Sequence, residues 1–218
     1  QPARRRRLRR ADRRRLDALA AREFEPVRTT LTSTIDGIDA EVATARAAQA
    51  EWAARGASER CEVLRRVADE LVARHDDLLL AMMHEASKTV AEADPEIGEA
   101  VDFARWYAER ATELERIDGA DFTPLGVVAV IPPWNFPGAI PAGGTLAALA
   151  AGNAVVFKPA PETPRCAEIV AEACWAAGVP ADRMGGADVA EDQRRGFEDA
   201  LGVRTSPDNN RLVANSDV

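Results

Sequence analysis

Two polar side chains stand where an open α/β sheet places its ligands. Asn135 and Lys158 each follow a short apolar run, Val127 to Ile131 and Ala154 to Phe157. Ligands of such sheets bind beyond the carboxyl ends of the strands. A carboxamide offers a donor and an acceptor there, and an ammonium three rotatable donors. The other chemistry-bearing residues make weaker constellations. Cys61, Cys166 and Cys174 share no metal-type spacing with His75 or His84, and they read as small apolar packing residues or partly exposed thiols. Glu85 and Lys88 read as a solvated i,i+3 helix pair rather than a catalytic pair.

The elements that must position Asn135 and Lys158 lie between Gly126 and Pro161, in GVVAVIPPWNFPGAIPAGGTLAALAAGNAVVFKPAP. The first run is continuously apolar, as in a parallel strand covered on both faces. Pro132 and Pro133 stop it, Trp134 to Pro137 form a turn, and an Ala-rich helix runs from about Ala139 to Ala151, ending at Gly152. Lys158 and Pro159 end the second run. Thr163 then caps a helix with Pro164 at its first position, closing at Gly178. The result is a βαβα unit with parallel strands and a right-handed crossover. Upstream, Ile38, Val42, Ala45, Gln49 and Trp52 recur at helical spacing. Ser58 caps a second pattern through Val63, Leu64, Val67, Leu71, Leu78 and Met82, and Asp94-Pro95 starts a third through Ile97, Val101, Ala104, Ala108 and Ala111. Three amphipathic helices are therefore predicted before the sheet.

The P-W-N-F-P turn after one strand and the K-P turn after the next resemble the aldehyde dehydrogenases over roughly Glu25 to Met184. Within that superfamily, EASKTVAEADPEIGEAVDFARWYAER and LGVVAVIPPWNFP look most like the 1-pyrroline-5-carboxylate (L-glutamate γ-semialdehyde) dehydrogenase half of bifunctional proline-utilisation enzymes. The resemblance implies that the Asn135 amide donates to the oxygen of a tetrahedral thiohemiacetal. A fixed donor aimed at developing charge contributes roughly 3 kcal/mol to such a step. It implies that Lys158 hydrogen-bonds the adenosine ribose of the cofactor, and that Ile131, Pro132 and Trp134 line the cofactor cleft, although these three fit plain packing equally. Lys88 and Lys158 are the only lysines beside an excess of arginine. Where many relatives read K-P-A-E, with Glu on the ribose hydroxyls, this chain reads Lys158-Pro159-Ala160-Pro161-Glu162. The one-place displacement of Glu162 weakens any preference for NAD over NADP, since a ribose-bound carboxylate would repel a 2′-phosphate. The resemblance favours NAD, with NADP not excluded.

The family's G-S-T, E-L-G-G and G-Q-x-C motifs are absent from the sequence. The reaction needs a thiolate to attack the aldehyde and a base to activate water. Cys166 and Cys174 fall in the helix after Lys158 and Cys61 in an upstream helix, so none matches. After Val179 no apolar run reaches four residues, and the polar stretch Gly185 to Val218 is not expected to supply strands. A doubly wound domain uses about five or six. The expected fold class is thus α/β, aldehyde dehydrogenase-like: an N-terminal helical layer plus the first βαβα half of a Rossmann-like nucleotide-binding domain, truncated. Residues 1–24 are an Arg-rich arm or linker, 25–118 the helical layer, 119–184 the partial NAD-binding unit. Residues 185–218 form a divergent, disordered tail, read as a frameshifted or spliced ending or as a genuine divergent terminus.

The formal net charge is −8, yet Gln1 to Arg15 carries nine arginines and one aspartate, +8, leaving −16 for the remainder. Such an arm suits nucleic acid, an acidic surface, an organellar transit peptide or a solvated linker. The linker is favoured over nucleic acid, because no aromatics are interleaved for base stacking. No segment approaches the roughly 20 apolar residues of a membrane span, and an odd cysteine count without a secretory signal points to the cytoplasm. The parent enzyme is expected to oxidise a small-molecule aldehyde, glutamate semialdehyde, to glutamate as a homo-oligomer, while this chain alone gives no turnover. The alternative is a catalytically silent dinucleotide-binding or interaction module whose Arg-rich arm contacts nucleic acid or an acidic partner.

Overall fold

The computed structural model describes residues 17–19, 21–26, 34–180, 184–186, 203–205 and 212–214. The Arg-rich arm through Arg15, and most of the segment after residue 186, lie outside the described residues.

Four helices precede the sheet: α1 (Ile35–Ala54), α2 (Gly56–Ala73), α3 (His75–Glu85) and α4 (Val90–Leu114). The sequence predicts three, and the differences have local causes. The Ser58 pattern breaks at Arg74, whose backbone leaves the helical region and serves as both the end of α2 and the cap of α3. Ser58 itself lies inside α2. The third predicted helix begins earlier than Asp94-Pro95. Thr89 and Glu92 form a capping box, each side chain taking an amide of the other, so Pro95 falls within α4. That reciprocal satisfaction of end amides defines the start more strongly than the proline does.

After α4 come β1 (Val127–Val130), α5 (Ala139–Ala150), β2 (Ala154–Phe157) and α6 (Pro164–Ala176). The predicted βαβα order is present, and β1 and β2 pair in parallel with Val130 opposite Phe157. A third strand, β3 (Met184–Gly186), pairs in parallel on the other side of β2, giving the order β1-β2-β3. Two more short strands, β4 (Val203–Thr205) and β5 (Leu212–Ala214), pair antiparallel. The expectation that residues 185–218 supply no strand is therefore corrected. A strand of three residues needs a neighbouring edge to bond to, not an apolar run of four, and β2 offers that edge to β3.

Burial follows position in the sheet. All four residues of the central β2 are buried, whereas in β1 only Val130 is. The prediction that the first strand is covered on both faces holds, with Val127 packed against the α1 cluster and Val128 against the main core, but Val127 to Ala129 stay partly buried, because β1 has one strand neighbour in the described sheet and its edge is open. The main core joins Trp52 of α1, with Leu64, Val67 and Leu71 of α2 and Ala104 of α4, to Leu146, Leu149 and Val170 of the sheet helices. A smaller cluster sets Ile38, Val42 and Ala45 of α1 against Ala154 and Val156.

The sheet helices end alike. Gly152 and Gly178 adopt φ +84° and +101°, a backbone that side chains disfavour. The Gly152 amide donates to the Leu149 carbonyl and the Asn153 amide to that of Ala148; Gly178 and Val179 repeat this with Trp175 and Cys174. Such paired bonds satisfy carbonyls that a helix end leaves open.

Candidate active site

The parallel register sets the site. The Lys158 amide donates to the Val130 carbonyl at 2.9 Å, so the ends of β1 and β2 lie side by side. The turn Trp134 to Pro137 leaves one strand and Lys158 caps the other on the same carboxyl edge of the sheet. Asn135 is exposed, flanked by the exposed rings of Trp134 and Phe136. Lys158 is half-buried and Glu162 exposed. Pro132 is buried, and Ile131 is partly buried against the cluster of Ile38, Val42 and Val156. Packing thus accounts for much of Ile131, whereas the Trp134 ring faces solvent.

The helix that follows the Asn135 turn is held at both ends by the helical layer. The first amides of a helix have no partner within it. Here the Gly138 and Ala139 amides donate to Oε1 of Glu96, at 2.7 and 3.1 Å. Glu96 is 3% exposed, and its other oxygen pairs with Lys88. At the far end, Trp52 Nε1 donates to the Leu149 carbonyl at 3.0 Å and Arg60 Nε to that of Ala150 at 3.1 Å. A carboxylate at the positive end and a guanidinium at the negative end both complement the helix dipole. Burial lowers the proton affinity of Arg60, and the Glu115 carboxylate opposes that effect.

Helix α6 is treated similarly. Glu85 accepts from the Arg165 and Cys166 amides at 2.8 and 2.9 Å, and Arg66 Nε donates to the Ala177 carbonyl at 2.9 Å. Arg165 bonds Glu168 and Glu172 along its own helix. The reading of Glu85 and Lys88 as a solvated pair is thereby corrected. The chain leaves the helix after Glu85, with Ser87 at φ 53°, and each side chain turns inward to a different helix. Glu96 was missed by sequence reasoning. The T-x-x-E box at Thr89 was the legible signal, since a helix starting there places Glu96 in its body.

None of the thiols suits nucleophilic attack. Cys61, Cys166 and Cys174 are fully buried. Burial pushes the Cys174 thiol up to about 12, and it raises Cys166 as well, reinforced by the Glu85 carboxylate. Cys61 is raised by burial too, and its sulfur lies 2.6 Å from the Ala108 carbonyl. Both histidines have structural partners: His75 meets Asp76 and Asp94, and His84 stacks on Phe24. Among the described residues no helix is long and apolar enough to cross a membrane.

A dinucleotide fits this edge only in part. Lys158 offers donors suited to ribose hydroxyls. The phosphates have no seat at α5 or α6, because a helix N-terminus binds anions through free amides and here Glu96 and Glu85 occupy them.

A parallel sheet with helices on its faces and a helical layer packed against it defines an α/β protein, with an amide-bearing turn and a lysine at adjacent strand ends. Comparison with known proteins makes the class specific. The model of the aldehyde dehydrogenase family matches residues 9–185, and the chain belongs to that family. The structure of Proline Utilization A from Corynebacterium freiburgense is 40% identical with a TM-score of 0.74, covering 84% of this chain and 19% of that one. A protein named succinate-semialdehyde dehydrogenase (NADP+) from Mycobacterium ulcerans is 38% identical over 168 residues, 72% of this chain and 32% of the relative. The N-succinylglutamate 5-semialdehyde dehydrogenase of Novosphingobium aromaticivorans is 37% identical, over 67% of this chain and 33% of its own. The chain spans about a third of the length of these curated relatives.

Proposed function

We propose that the chain forms the helical layer (residues 25–118) and part of the NAD-binding unit (119–184) of an aldehyde dehydrogenase that oxidises L-glutamate γ-semialdehyde to glutamate. The observation that carries this reading is the juxtaposition of the Asn135 turn and Lys158 on one carboxyl edge. Likeness to a proline-utilisation structure supports the substrate. The curated relatives are named for other semialdehydes, so the supported class is an aldehyde that also carries a carboxylate. NAD is the proposed cofactor. NADP remains a competitor, because Glu162 is exposed and displaced from the place where a carboxylate would refuse a 2′-phosphate.

Lys158 is the residue that would hold the dinucleotide, which when bound would supply the hydride acceptor for aldehyde oxidation. The residues of this chain bind and orient. Asn135 directs its amide at the substrate oxygen as negative charge develops there, and Lys158 donates to the ribose. The nucleophile and base are supplied by neither the buried thiols nor the helix-capping carboxylates, so the 218-residue polypeptide alone binds dinucleotide weakly and does not turn over.

Calorimetric titration of the chain with NAD and NADP tests this. Binding that disappears in Lys158→Ala and persists in Asn135→Ala supports the reading; absence of binding, or binding indifferent to Lys158, overturns it. Aldehyde-dependent NADH formation by the purified chain would overturn the inactivity.

A further inference from the structure

The turn that carries Asn135 is held by a buried ion pair from the helical layer. Glu96 Oε1 takes both the Gly138 and Ala139 amides, immediately after the turn. Its second oxygen pairs with Lys88, whose ammonium lies 4.4 Å from the centre of the Phe136 ring. One carboxylate therefore grips the residues after the turn directly and a residue within it through Lys88. Asn135 stands beside Phe136. The two charges come from separate places, Glu96 from α4 and Lys88 from the α3–α4 connection, with side chains only 2% and 13% exposed. A Cβ at Gly138 would overlap the Met82 methyl, the far end of a flexible side chain, and would stand in ordinary contact with Glu96 Oε1. A buried carboxylate is tolerated when it is paired and hydrogen-bonded, and the helix N-terminus with Lys88 meets both conditions.

We propose that Glu96 and Lys88 are positioning residues that preset the Asn135 turn, so that the amide is oriented before cofactor or substrate arrives. The functional meaning of that orientation rests on the role proposed for Asn135; the grip itself does not. Pre-orientation matters because a donor stabilises developing charge fully only when no reorganisation is needed at the moment of reaction.

Amide hydrogen exchange and side-chain amide resonances, read by NMR on the whole chain, test the proposal without turnover. Glu96→Ala is expected to speed exchange at Gly138 and Ala139 at least about tenfold relative to buried α2 amides such as Val67 and Leu71. It should also shift the Asn135 side-chain resonances. Glu96→Gln keeps an acceptor and is expected to restore protection at Gly138 and Ala139. Lys88→Met, which frees Phe136 but leaves the acceptor, is expected to shift Asn135 with a smaller change at the two amides. Exchange that rises equally throughout the chain, or an Asn135 signal unmoved in all three variants, would overturn the proposal. Should Glu96→Ala not fold, Glu96→Gln and Lys88→Met decide it, since Asn135 resonances unmoved in both refute the coupling. An Asn135→Ala change without effect on oxidation by the full-length enzyme would remove the role of Asn135 and leave the grip standing.

Discussion

Helices α5 and α6 end in the same way and begin differently. At their C-termini both close on a glycine of positive φ with the same pair of backbone bonds. At their N-termini both take a glutamate from the helical layer, but the two glutamates live in different surroundings. Glu96 is buried and paired with Lys88. Glu85 is half-buried and bonds the Arg165 and Cys166 amides. The approaches to the two helices differ accordingly. The Asn135 turn is gripped at Phe136 by Lys88 and just after it, at Gly138 and Ala139, by Glu96. The segment after Lys158 closes on itself through a bond from the Thr163 amide to the Ala160 carbonyl, leaving Pro161 and Glu162 exposed. Both helix starts carry buried charge, Glu96 with Lys88 at α5 and Arg165 with Glu168 at α6, but only at α5 is the carboxylate that takes the helix amides itself buried.

This contrast can be broken by measurement. Glu96→Ala removes one member of a buried pair and is expected to cost about 3–5 kcal/mol, because Lys88 is left without its partner. Urea denaturation showing less than about 1 kcal/mol would mean that the pair contributes little. Trp52→Phe keeps an aromatic ring in the core but deletes the indole donor to Leu149 and part of the buried ring volume. The Leu149 carbonyl keeps the Gly152 amide, so the loss is one hydrogen bond plus part of the buried ring volume, expected to cost about 1–3 kcal/mol, and a stability equal to the parent would show that α5 does not depend on this anchor. The smallest effect is expected for Glu85→Ala, a loss of helix capping worth about 0.5–2 kcal/mol. A thermal melt in which Glu85→Ala equals or exceeds Glu96→Ala would erase the distinction between the two helix starts.

The strand ends and the helix stops were legible because they depend on neighbours in sequence. Val127 to Val130, Ala154 to Phe157, the Pro164 helix start and the glycines at 152 and 178 all lie where apolar runs, proline and glycine place them. The break at Arg74 was not legible, since the apolar spacing of α2 continues into α3. Strand β3 was equally hidden. Met184–Gly186 has little strand character of its own and is recruited by the free edge of β2.

What the sequence by itself determined was the family, the βαβα order and the placing of Asn135 and Lys158 at strand ends, because turn chemistry and apolar runs are local properties. Only the tertiary structure decided what Glu85, Lys88 and Glu96 do. Glu96 is 42 residues from the Gly138 amide it accepts, and Glu85 is 80 from that of Arg165. Whether such a carboxylate meets water, a lysine or a helix N-terminus depends on how the layers pack, and no local spacing carries that information.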